Sequence, residues 1–320
     1  MSPKRQRGAA LLVTLTLVSI LTIIASELYK MTRDNSNRLA SVQDLEQAQW
    51  YALSGEQHSY ILAKELIEKP AVHSAVPVQF PIAQGNMTIQ LNPVHNCFNI
   101  NSLDSHKTNK EQRVPNPERP FAIKALQQLL ISHNIDSLTA KSFTSRAADW
   151  IDADSDPIDA QGLERSSPTT PLPVNGHLQN INELKQLDIL SDEQFSNISE
   201  LLCARTGDTR LAINPNDLEE KHATLISALS HGVLDSADAK QIIQSKPADG
   251  YSDINSFIQS LQTDGKNLPT EINQAFHLER NYFKTRIQVM YERSRVELNA
   301  YFSTDGEKAQ TLSRYYGVMP

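Results

Sequence analysis

The amino-acid sequence predicts an α+β fold, in which one long N-terminal helix lies on a small antiparallel sheet that a large all-α insertion interrupts. Three observations support this prediction. A helical apolar pattern runs from Ala9 to Lys69, strand-like segments lie at both ends of the remaining chain, and residues 104–275 between them have an almost wholly helical period. With 320 residues, of which 39% are hydrophobic, the chain is long enough to form two or three packed domains.

The N-terminus combines a basic tail with an apolar helix. Lys4, Arg5 and Arg7 precede Gly8, and the 18 residues of 9–26 carry no charge. At about 1.5 Å per residue this run spans roughly 27 Å, which is close to the thickness of the hydrocarbon core of a bilayer. Basic residues favour the cytoplasmic side. The sequence therefore predicts a single-pass anchor over 9–26, with the rest of the chain across the membrane.

A cleaved secretory signal peptide is the alternative interpretation, because it also has a basic region followed by an apolar one. No Ala-x-Ala site ends the apolar run here, and apolar residues at helical spacing continue to Ile67, just before Pro70. We therefore predict one helix over 9–69, roughly 90 Å long at about 1.5 Å per residue. Half of it would lie in lipid and half amphipathically on a globular body, with Gly55 as its internal weak point.

Strand-like segments occur at the two ends of the body. They alternate apolar and polar residues or are rich in β-branched and aromatic ones, and a turn with Asp305 and Gly306 precedes the last of them. The segments are 87–91 and 97–101 near the start, and 282–291, 294–302 and 312–316 near the end. Because they flank the helical stretch, we expect one sheet that the insertion interrupts.

The insertion is internally repetitive. It consists of pairs of helical segments joined by short turns: 123–130 with 138–150, 184–187 with 191–202, and 225–229 with 235–243. The third pair resembles a helix-hairpin-helix unit, whose glycine turn binds DNA phosphates. Here Leu234 stands where that motif has its second glycine, and Asp235 places a carboxylate where the phosphate would bind.

The charge distribution also argues against nucleic acid. Residues 104–275 contain 25 acidic and 15 basic residues, a net charge of −10, whereas the rest of the chain contains 12 acidic and 15 basic residues. Binding to nucleic acid requires the opposite sign. We therefore interpret the insertion as a protein-interaction scaffold of helices similar to sterile alpha motifs (SAM-like), and we predict no nucleic-acid partner.

An acidic segment is the candidate metal site. Its five aspartates lie within eleven residues and repel one another unless a cation lies among them. Oxygen ligands in a turn without cysteine or histidine favour Ca²⁺, although a solvated acidic loop is the alternative. Pro157 and Leu163 stand at positions that exclude an EF-hand. The candidate ligands are Asp149, Asp152, Asp154, Asp156, Asp159 and Glu164.

Cys97 and Cys203 are the two cysteines of the chain. In a cytosolic protein they would be two buried small apolar residues. In an oxidising periplasm they would form a disulfide that closes a loop of about 105 residues and stabilises the fold by up to roughly 4 to 5 kcal/mol on the loop-entropy model. The predicted export of the body favours the disulfide.

Motifs of enzymes are absent from the sequence. It contains no G-x-S-x-G, Walker loop, H-E-x-x-H or G-x-G-x-x-G, and its nine histidines have no ligand spacing. We therefore predict that the chain is not an enzyme. A membrane-anchored, calcium-stabilised hydrolase is the alternative from another class of protein.

The N-terminus resembles the class of type IV pilins and type II secretion pseudopilins. The resemblance implies that a prepilin peptidase cuts after Gly8 and methylates the new N-terminal residue, Ala9. The fifth residue after this cut is Val13, where most pilins carry a glutamate that pairs with the N-terminus of a neighbouring subunit. Among pseudopilins, the large minor subunits of the protein K family usually lack this glutamate, and the resemblance implies a subunit with nothing above it.

The acidic segment makes the resemblance to the protein K family specific. That family carries Asp-Trp-(Ile or Leu)-Asp-Ala-Asp followed by Pro, Gly and Glu, and residues 149–154, Pro157, Gly162 and Glu164 match it. Segments 97–101 and 203–214 are also similar to family segments. The resemblance covers nearly the whole chain and implies calcium binding near the acidic loop. After Glu164 this chain departs from the acidic and tyrosine residues that are usual in the family.

The resemblance implies a pilin-like sheet domain and two SAM-like subdomains in the insertion. The predicted parts are a leader (1–8), the N-terminal helix (9–69), a β domain (70–103 and 276–320), and first and second α subdomains (104–208 and 209–275). The implied function is that of a minor pseudopilin at the tip of the type II secretion pseudopilus, which acts in export of folded proteins from the periplasm across the outer membrane.

The implied location is the inner membrane of a Gram-negative bacterium, with a periplasmic C-terminal body. The implied partners are the prepilin peptidase and the other minor pseudopilins, of I and J type. Secreted cargo and the outer-membrane secretin are further candidate partners. A minor pilin of a type IV pilus is the alternative assignment, and its insertion would be smaller than the roughly 170 residues found here.

Overall fold

The structure is a computed structural model that describes residues 6–68, 77–109, 112–154, 156–162, 175–262 and 266–317. Its longest element is helix α1, Gln6–Glu68, which is 63 residues long. The side chains of residues 10–43 are exposed, and the first fully buried one is Ala48. By length and composition this helix can cross a bilayer, because its most apolar window has a mean hydropathy of 2.2 and none of it is buried in the protein. The prediction of one long helix is confirmed.

The second half of α1 packs on the sheet through a line of small buried residues. They are spaced three or four apart: Ala48, Ala52, Gly55, Ser59 and Ala63. A Cβ atom added at Gly55 would lie 2.8 Å from Ile287 Cγ2 and 2.8 Å from Met87 Sδ, both on the sheet. Gly55 therefore allows the helix to approach the sheet closely, which explains a residue that would otherwise weaken the helix.

Nine strands lie among the described residues. In chain order they are β1 (Val78–Ile82), β2 (Gly85–Pro93), β3 (Phe98–Asn99), β4 (His106–Asn109), β5 (Gln112–Pro115), β6 (Leu202–Cys203), β7 (Tyr282–Tyr291), β8 (Ser294–Thr304) and β9 (Ala309–Tyr316). The main sheet has the order β1-β2-β7-β8-β9 and every pairing in it is antiparallel. The chain leaves this sheet after β2 and returns at β7, so the insertion interrupts it as predicted.

The insertion contains most of the shorter helices. They are α2 (Arg119–Ser132), α3 (Ser137–Ile151), α4 (Asp192–Ser199), α5 (Ala223–Leu229), α6 (Ser236–Gln244), α7 (Ile254–Leu261) and α8 (Ile272–Ala275). Helix α4 ends earlier than the predicted segment 191–202, because Leu202 belongs to β6, which pairs in parallel with β3. Asp235 caps α6 by accepting hydrogen bonds from the N–H groups of Ala237 and Asp238 at 2.8 and 2.9 Å, as the sequence indicated.

The apolar side chains of the insertion form one connected core that extends from Phe98 to Phe276. Phe98, Ile100 and Leu103 belong to this core, although the sequence assigned residues up to 103 to the β domain. We call the part of the chain that contributes to this core the helical body. The structure thus starts the helical body at about Phe98, because these side chains face the helices and not the sheet.

The helical body lies beyond the C-terminal end of α1. The last turns of α1, at Ala63 and Leu66, pack against Leu91, Phe283 and Phe302, where β2 ends and β7 begins. The chain leaves and re-enters the sheet at this same end. The exposed apolar half of α1 and the helical body are therefore at opposite ends of the sheet.

A buried ion pair joins α1 to the helical body. Arg280 donates to Asp217 Oδ1 at 2.6 Å and to the carbonyl oxygen of Leu66 at 2.8 Å. Both charged side chains are at most 3% exposed. The guanidinium therefore satisfies one of the last carbonyl groups of α1 while it neutralises a carboxylate of the body.

A second polar cluster joins the sheet to the helical body around His95. Its Nδ1 donates to the carbonyl oxygen of Ala212 at 2.8 Å, and its Nε2 accepts from the backbone N–H groups of Asn281 and Tyr282 at 3.3 Å. This pattern fixes a neutral imidazole. Burial, with the nearby charge of Arg205, lowers the pKa of His95 to about 3.

Candidate functional site

The exposed apolar surface of α1 is the first candidate site. It continues past the uncharged segment as side chains that are between 42% and 72% exposed: Leu28, Tyr29, Met31, Leu39, Val42, Leu45, Trp50 and Ile61. A monomeric soluble protein rarely exposes so much contiguous apolar area. Such a surface is typical of a helix that is covered by lipid or by the helices of other proteins.

The predicted processing site lies at the start of this helix. The backbone of Gly8 and Ala9 is helical, and their side-chain surroundings lie outside the described part of the chain. Val13 is 62% exposed, and Glu27 is the first acidic residue of α1. The uncharged apolar segment of α1 therefore carries no carboxylate.

Glu56 is a buried carboxylate on α1 that the sequence analysis did not identify. It is 0% exposed, and its oxygens accept hydrogen bonds from Arg314, Tyr60 and Thr311 at 2.7 to 2.8 Å. Burial opposes its charge, but the hydrogen bonds and the charge of Arg314 together lower the pKa of Glu56 below its ordinary value. This carboxylate fixes α1 to β9. Its position in the helix gave no sequence signal, because a glutamate among apolar residues is equally typical of a solvated face.

Three aspartates close the acidic loop. Asp149 Oδ1 accepts from the N–H of Ile158 at 2.9 Å, and Asp152 Oδ2 accepts from Arg119 Nη2 at 2.5 Å. Asp159 accepts from Ser145 Oγ at 3.0 Å and from its own loop. Helix α3 therefore presents its C-terminal end to a loop that folds back on it.

The other two aspartates lie nearer the solvent. Asp154 is half-buried and Asp156 is exposed. Asp154 Oδ1 accepts from the N–H of Asp156 at 3.1 Å, and its Oδ2 accepts from Ser105 Oγ at 3.4 Å. Glu164 lies outside the described residues. Among the described residues, no group of three or more histidine, cysteine, aspartate or glutamate side chains converges on one point.

The electrostatics of the loop favour a cation. Burial raises the pKa of Asp152 to about 6, against the lowering effect of Arg119, and the charges of Asp154 and Asp149 raise it further. A group that resists ionisation in this way gains when positive charge is added next to it. The loop therefore carries more negative charge than the described cations neutralise.

Two buried amide oxygens beside the loop add to its ligand chemistry. Asn175 Oδ1 and Gln161 Oε1 are buried without a hydrogen-bond partner among the described residues, while Asn175 Nδ2 donates to the carbonyl oxygen of Asp154. A Cβ atom at Gly162 would lie 2.1 Å from Asp149 Oδ2, so only glycine fits there. Neutral amide and carboxylate oxygens together are the donor set that Ca²⁺ prefers. Their chemistry fits the ion, and sequence spacing did not reveal the two amides.

The predicted disulfide is confirmed. Cys97 and Cys203 are bonded with their Cα atoms 5.8 Å apart and 106 residues apart in sequence. Cys97 directly precedes β3, and Cys203 is the last residue of β6, which pairs with β3. The bond therefore closes the part of the helical body that contains the acidic loop.

The architecture defines a class of protein. A long helix, with an exposed apolar first half and a second half packed on an antiparallel sheet, is the arrangement of a pilin-like subunit. The solved GspK–GspI–GspJ complex from the enterotoxigenic Escherichia coli type 2 secretion system contains a chain of the same fold. The TM-score is 0.73 at 22% identity, over 88% of this chain and 100% of that one.

The particular family follows from the sequence comparisons. Two family models described as type II secretion system protein K match residues 96–207 and 213–278, together more than half of the chain. Type II secretion system protein K of Pectobacterium carotovorum subsp. carotovorum is 28% identical over 98% of this chain and 97% of the relative. That of Klebsiella pneumoniae is 27% identical over 98% and 97%. The chain belongs to the type II secretion system protein K family and is a minor pseudopilin, a structural component of that system.

Proposed function

We propose that this chain is the tip subunit of a type II secretion pseudopilus and that it acts in the export of folded proteins from the periplasm across the outer membrane. The position of the helical body carries the proposal. In a filament whose subunits stack with their α1 helices aligned, a helical body beyond the C-terminal end of α1 obstructs the addition of a subunit above it. Growth below remains open, because the apolar half of α1 is exposed.

The apolar residue Val13 supports the same position. Pilins use a glutamate at this place to pair with the N-terminus of a neighbouring subunit, and a subunit with nothing above it needs no such carboxylate. Before assembly, α1 holds the chain in the inner membrane of a Gram-negative cell with its body in the periplasm. A prepilin peptidase would cut between Gly8 and Ala9 and methylate Ala9.

The proposed partners are other minor pseudopilins of I and J type. The solved relative is a complex of GspK with GspI and GspJ, and the exposed apolar side chains of α1 give this chain a surface on which such partners would pack. The helical body, at the far end, would meet secreted cargo or the outer-membrane secretin. Its function is assembly, without a catalytic step.

We also propose that the acidic loop binds Ca²⁺. The ligands would come from Asp149, Asp152, Asp154, Asp156, Asp159 and Glu164, and we add the amide oxygens of Gln161 and Asn175 as candidates. The raised pKa of Asp152 and the two unpartnered amide oxygens support this assignment. Bound calcium would supply charge neutralisation that holds the loop against α3.

Sedimentation equilibrium of the periplasmic part, residues 44–320, tests the tip position. Mixed with its I and J partners, it should form one complex of fixed stoichiometry and should not self-associate, because a capping subunit stops growth. Open-ended polymers of this chain alone would contradict the assignment. A Trp50→Glu variant should weaken the complex, whereas Gln310→Glu, at an exposed position on β9, changes the net charge by the same single unit and serves as the matched charge control.

A further inference from the structure

A cleft between the sheet and the helical body lies beside the disulfide and is not used by any function described above. Its volume is about 390 Å³. One wall is the outer face of the sheet, where Asn92, Lys284 and Tyr301 are direct neighbours on β2, β7 and β8. The other wall belongs to the helical body and includes Gln179 and Asn180.

Lys284 is the unusual residue of this cleft. It is half-buried and its Nζ lies 5.8 Å from the centre of the Tyr301 ring. It makes no ion pair with any carboxylate in the described part of the chain. Burial, with the like charge of Arg286, lowers the pKa of its ammonium group. The fold thus keeps a cation away from bulk water without giving it a counter-ion, which is costly unless something else supplies one.

The other charged groups that line the cleft leave Lys284 available. Asp217 is bonded to Arg280 at 2.6 Å, and Glu219 is paired with Lys221 at 3.2 Å. Glu200 is exposed. The cleft therefore offers an incoming group one ammonium ion without an ion-pair partner among the described residues, Lys284, with amide side chains, the two paired carboxylates and the exposed Glu200 on the rest of its lining.

We propose that this cleft binds an acidic peptide segment of another protein, with a carboxylate of that segment paired to Lys284. The single ammonium fits a singly charged carboxylate better than a phosphate group, whose larger charge calls for several cations or a bidentate guanidinium. The amide side chains on both walls donate and accept hydrogen bonds, which suits a peptide backbone. A small free acid would pair with Lys284 but would not use the amide side chains on both walls, so a peptide segment is the better fit.

Isothermal titration calorimetry of the full chain in an uncharged detergent tests the proposal. The probes are blocked tetrapeptides, Gly-Glu-Glu-Gly, Gly-Gln-Gln-Gly and Gly-Lys-Lys-Gly. We expect the glutamate peptide to bind at least tenfold more tightly than the glutamine peptide, and the lysine peptide not to bind. Equal binding of the glutamate and glutamine peptides would overturn the proposal without the need for any variant.

Variants then locate the site. Lys284→Met keeps the aliphatic stem and should abolish the preference for glutamate, whereas Lys284→Arg should keep most of it. Lys240→Met, at an exposed lysine on α6, is the matched control and should bind like the unaltered chain. If Lys284→Met retained the preference while its melting temperature stayed unchanged, the cleft would not be the site. A lost preference with an unchanged melting temperature would support it.

Discussion

At the scale of single residues, buried polar groups hold the two parts of the molecule together. His95, Arg205 and Arg280 are each at most 5% exposed, and each bonds across the boundary between sheet and helical body. None of them was predicted. Their partners are carbonyl oxygens and carboxylates up to 214 residues away, so no local pattern could mark them.

His95 makes stability depend on pH. Its pKa is about 3 in the folded chain and about 6.5 in an unfolded one. Acidification below about 6.5 therefore protonates the unfolded state but not the folded one, and the stability present above that pH is lost as the pH falls toward 3. For this one group we expect a loss of about 2 kcal/mol between pH 7 and pH 5.

Urea unfolding of residues 44–320 at the two pH values measures this loss. His95→Gln keeps an amide donor and acceptor in place of the ring and should flatten the pH dependence. His222, whose pKa burial lowers to about 4, contributes in the same direction and remains in the variant. An unchanged slope in His95→Gln would contradict the neutral, buried assignment.

The acidic loop permits a second residue-scale prediction. Calcium at about 100 times its dissociation constant should stabilise the folded state by roughly 2.7 kcal/mol. Asp154→Ala and Asp156→Ala should each remove most of the calcium-dependent rise in melting temperature, whereas Asp249→Ala, an exposed aspartate elsewhere in the body, should leave it unchanged. Differential scanning calorimetry with calcium and with chelator measures the effect.

Protons should compete with calcium at this loop. Because the pKa of Asp152 is about 6 without the ion, its carboxylate is largely protonated at pH 5 and must lose that proton for calcium to bind. We expect a larger calcium-dependent shift at pH 7.5 than at pH 5. If the chain bound no calcium at millimolar concentration, the alternative interpretation of a solvated acidic loop would be correct.

At the scale of elements, the close packing of α1 on the sheet depends on Gly55. Gly55→Leu should destabilise the folded body by more than about 2 kcal/mol. Even the Cβ atom of the new side chain would lie 2.8 Å from Ile287 Cγ2, which is closer than van der Waals contact. Gln57→Leu, on the exposed face of the same helix, is the matched control and should change stability by less than about 0.5 kcal/mol. Chemical denaturation of both variants and of the unaltered chain measures these changes in stability.

The elements also show what a sequence can reveal. Helix α1 and strands β7 and β8 were predicted nearly to their ends, because long periodic segments and runs of β-branched residues carry a strong signal. Strand β1 was missed, since Pro81 argues against a strand and is tolerated here only at the edge of the sheet. The two-residue strand β6 was read as helix because its partner, β3, lies about a hundred residues earlier.

Some residues of the candidate sites could also be predicted from the sequence, and others could not. The disulfide followed from the number of cysteines and the expected compartment, and the aspartates of the loop from their density in the sequence. The amides of Gln161 and Asn175 and the carboxylate of Glu56 could not be predicted. Their importance arises only when distant segments bring them into buried positions.

At the scale of the whole molecule, we expect processing and assembly to depend on the N-terminus. Gly8→Glu should prevent cleavage, because a bulky charged side chain cannot enter a peptidase site shaped for the bare backbone of glycine. Mass spectrometry of the membrane-extracted chain should then find the uncut N-terminus, while the unaltered chain should begin at methylated Ala9. Ser2→Glu is the matched control and should be cut normally. A mature chain beginning near Ser26 would instead indicate an ordinary signal peptide.

Because the insertion interrupts the sheet, helix α1 is synthesised well before the last strands that pack on it. Gly55 on α1 packs against Ile287 on β7, and some 230 residues of chain are made between the two. At roughly 5 to 20 residues per second, synthesis separates them by about 10 to 45 s. During that interval the apolar face of α1 and strand β2 have been made, but β7 and β8, which complete the cover of that face, do not yet exist. We therefore expect part of this face to stay uncovered by the chain's own strands until its last forty residues have been made.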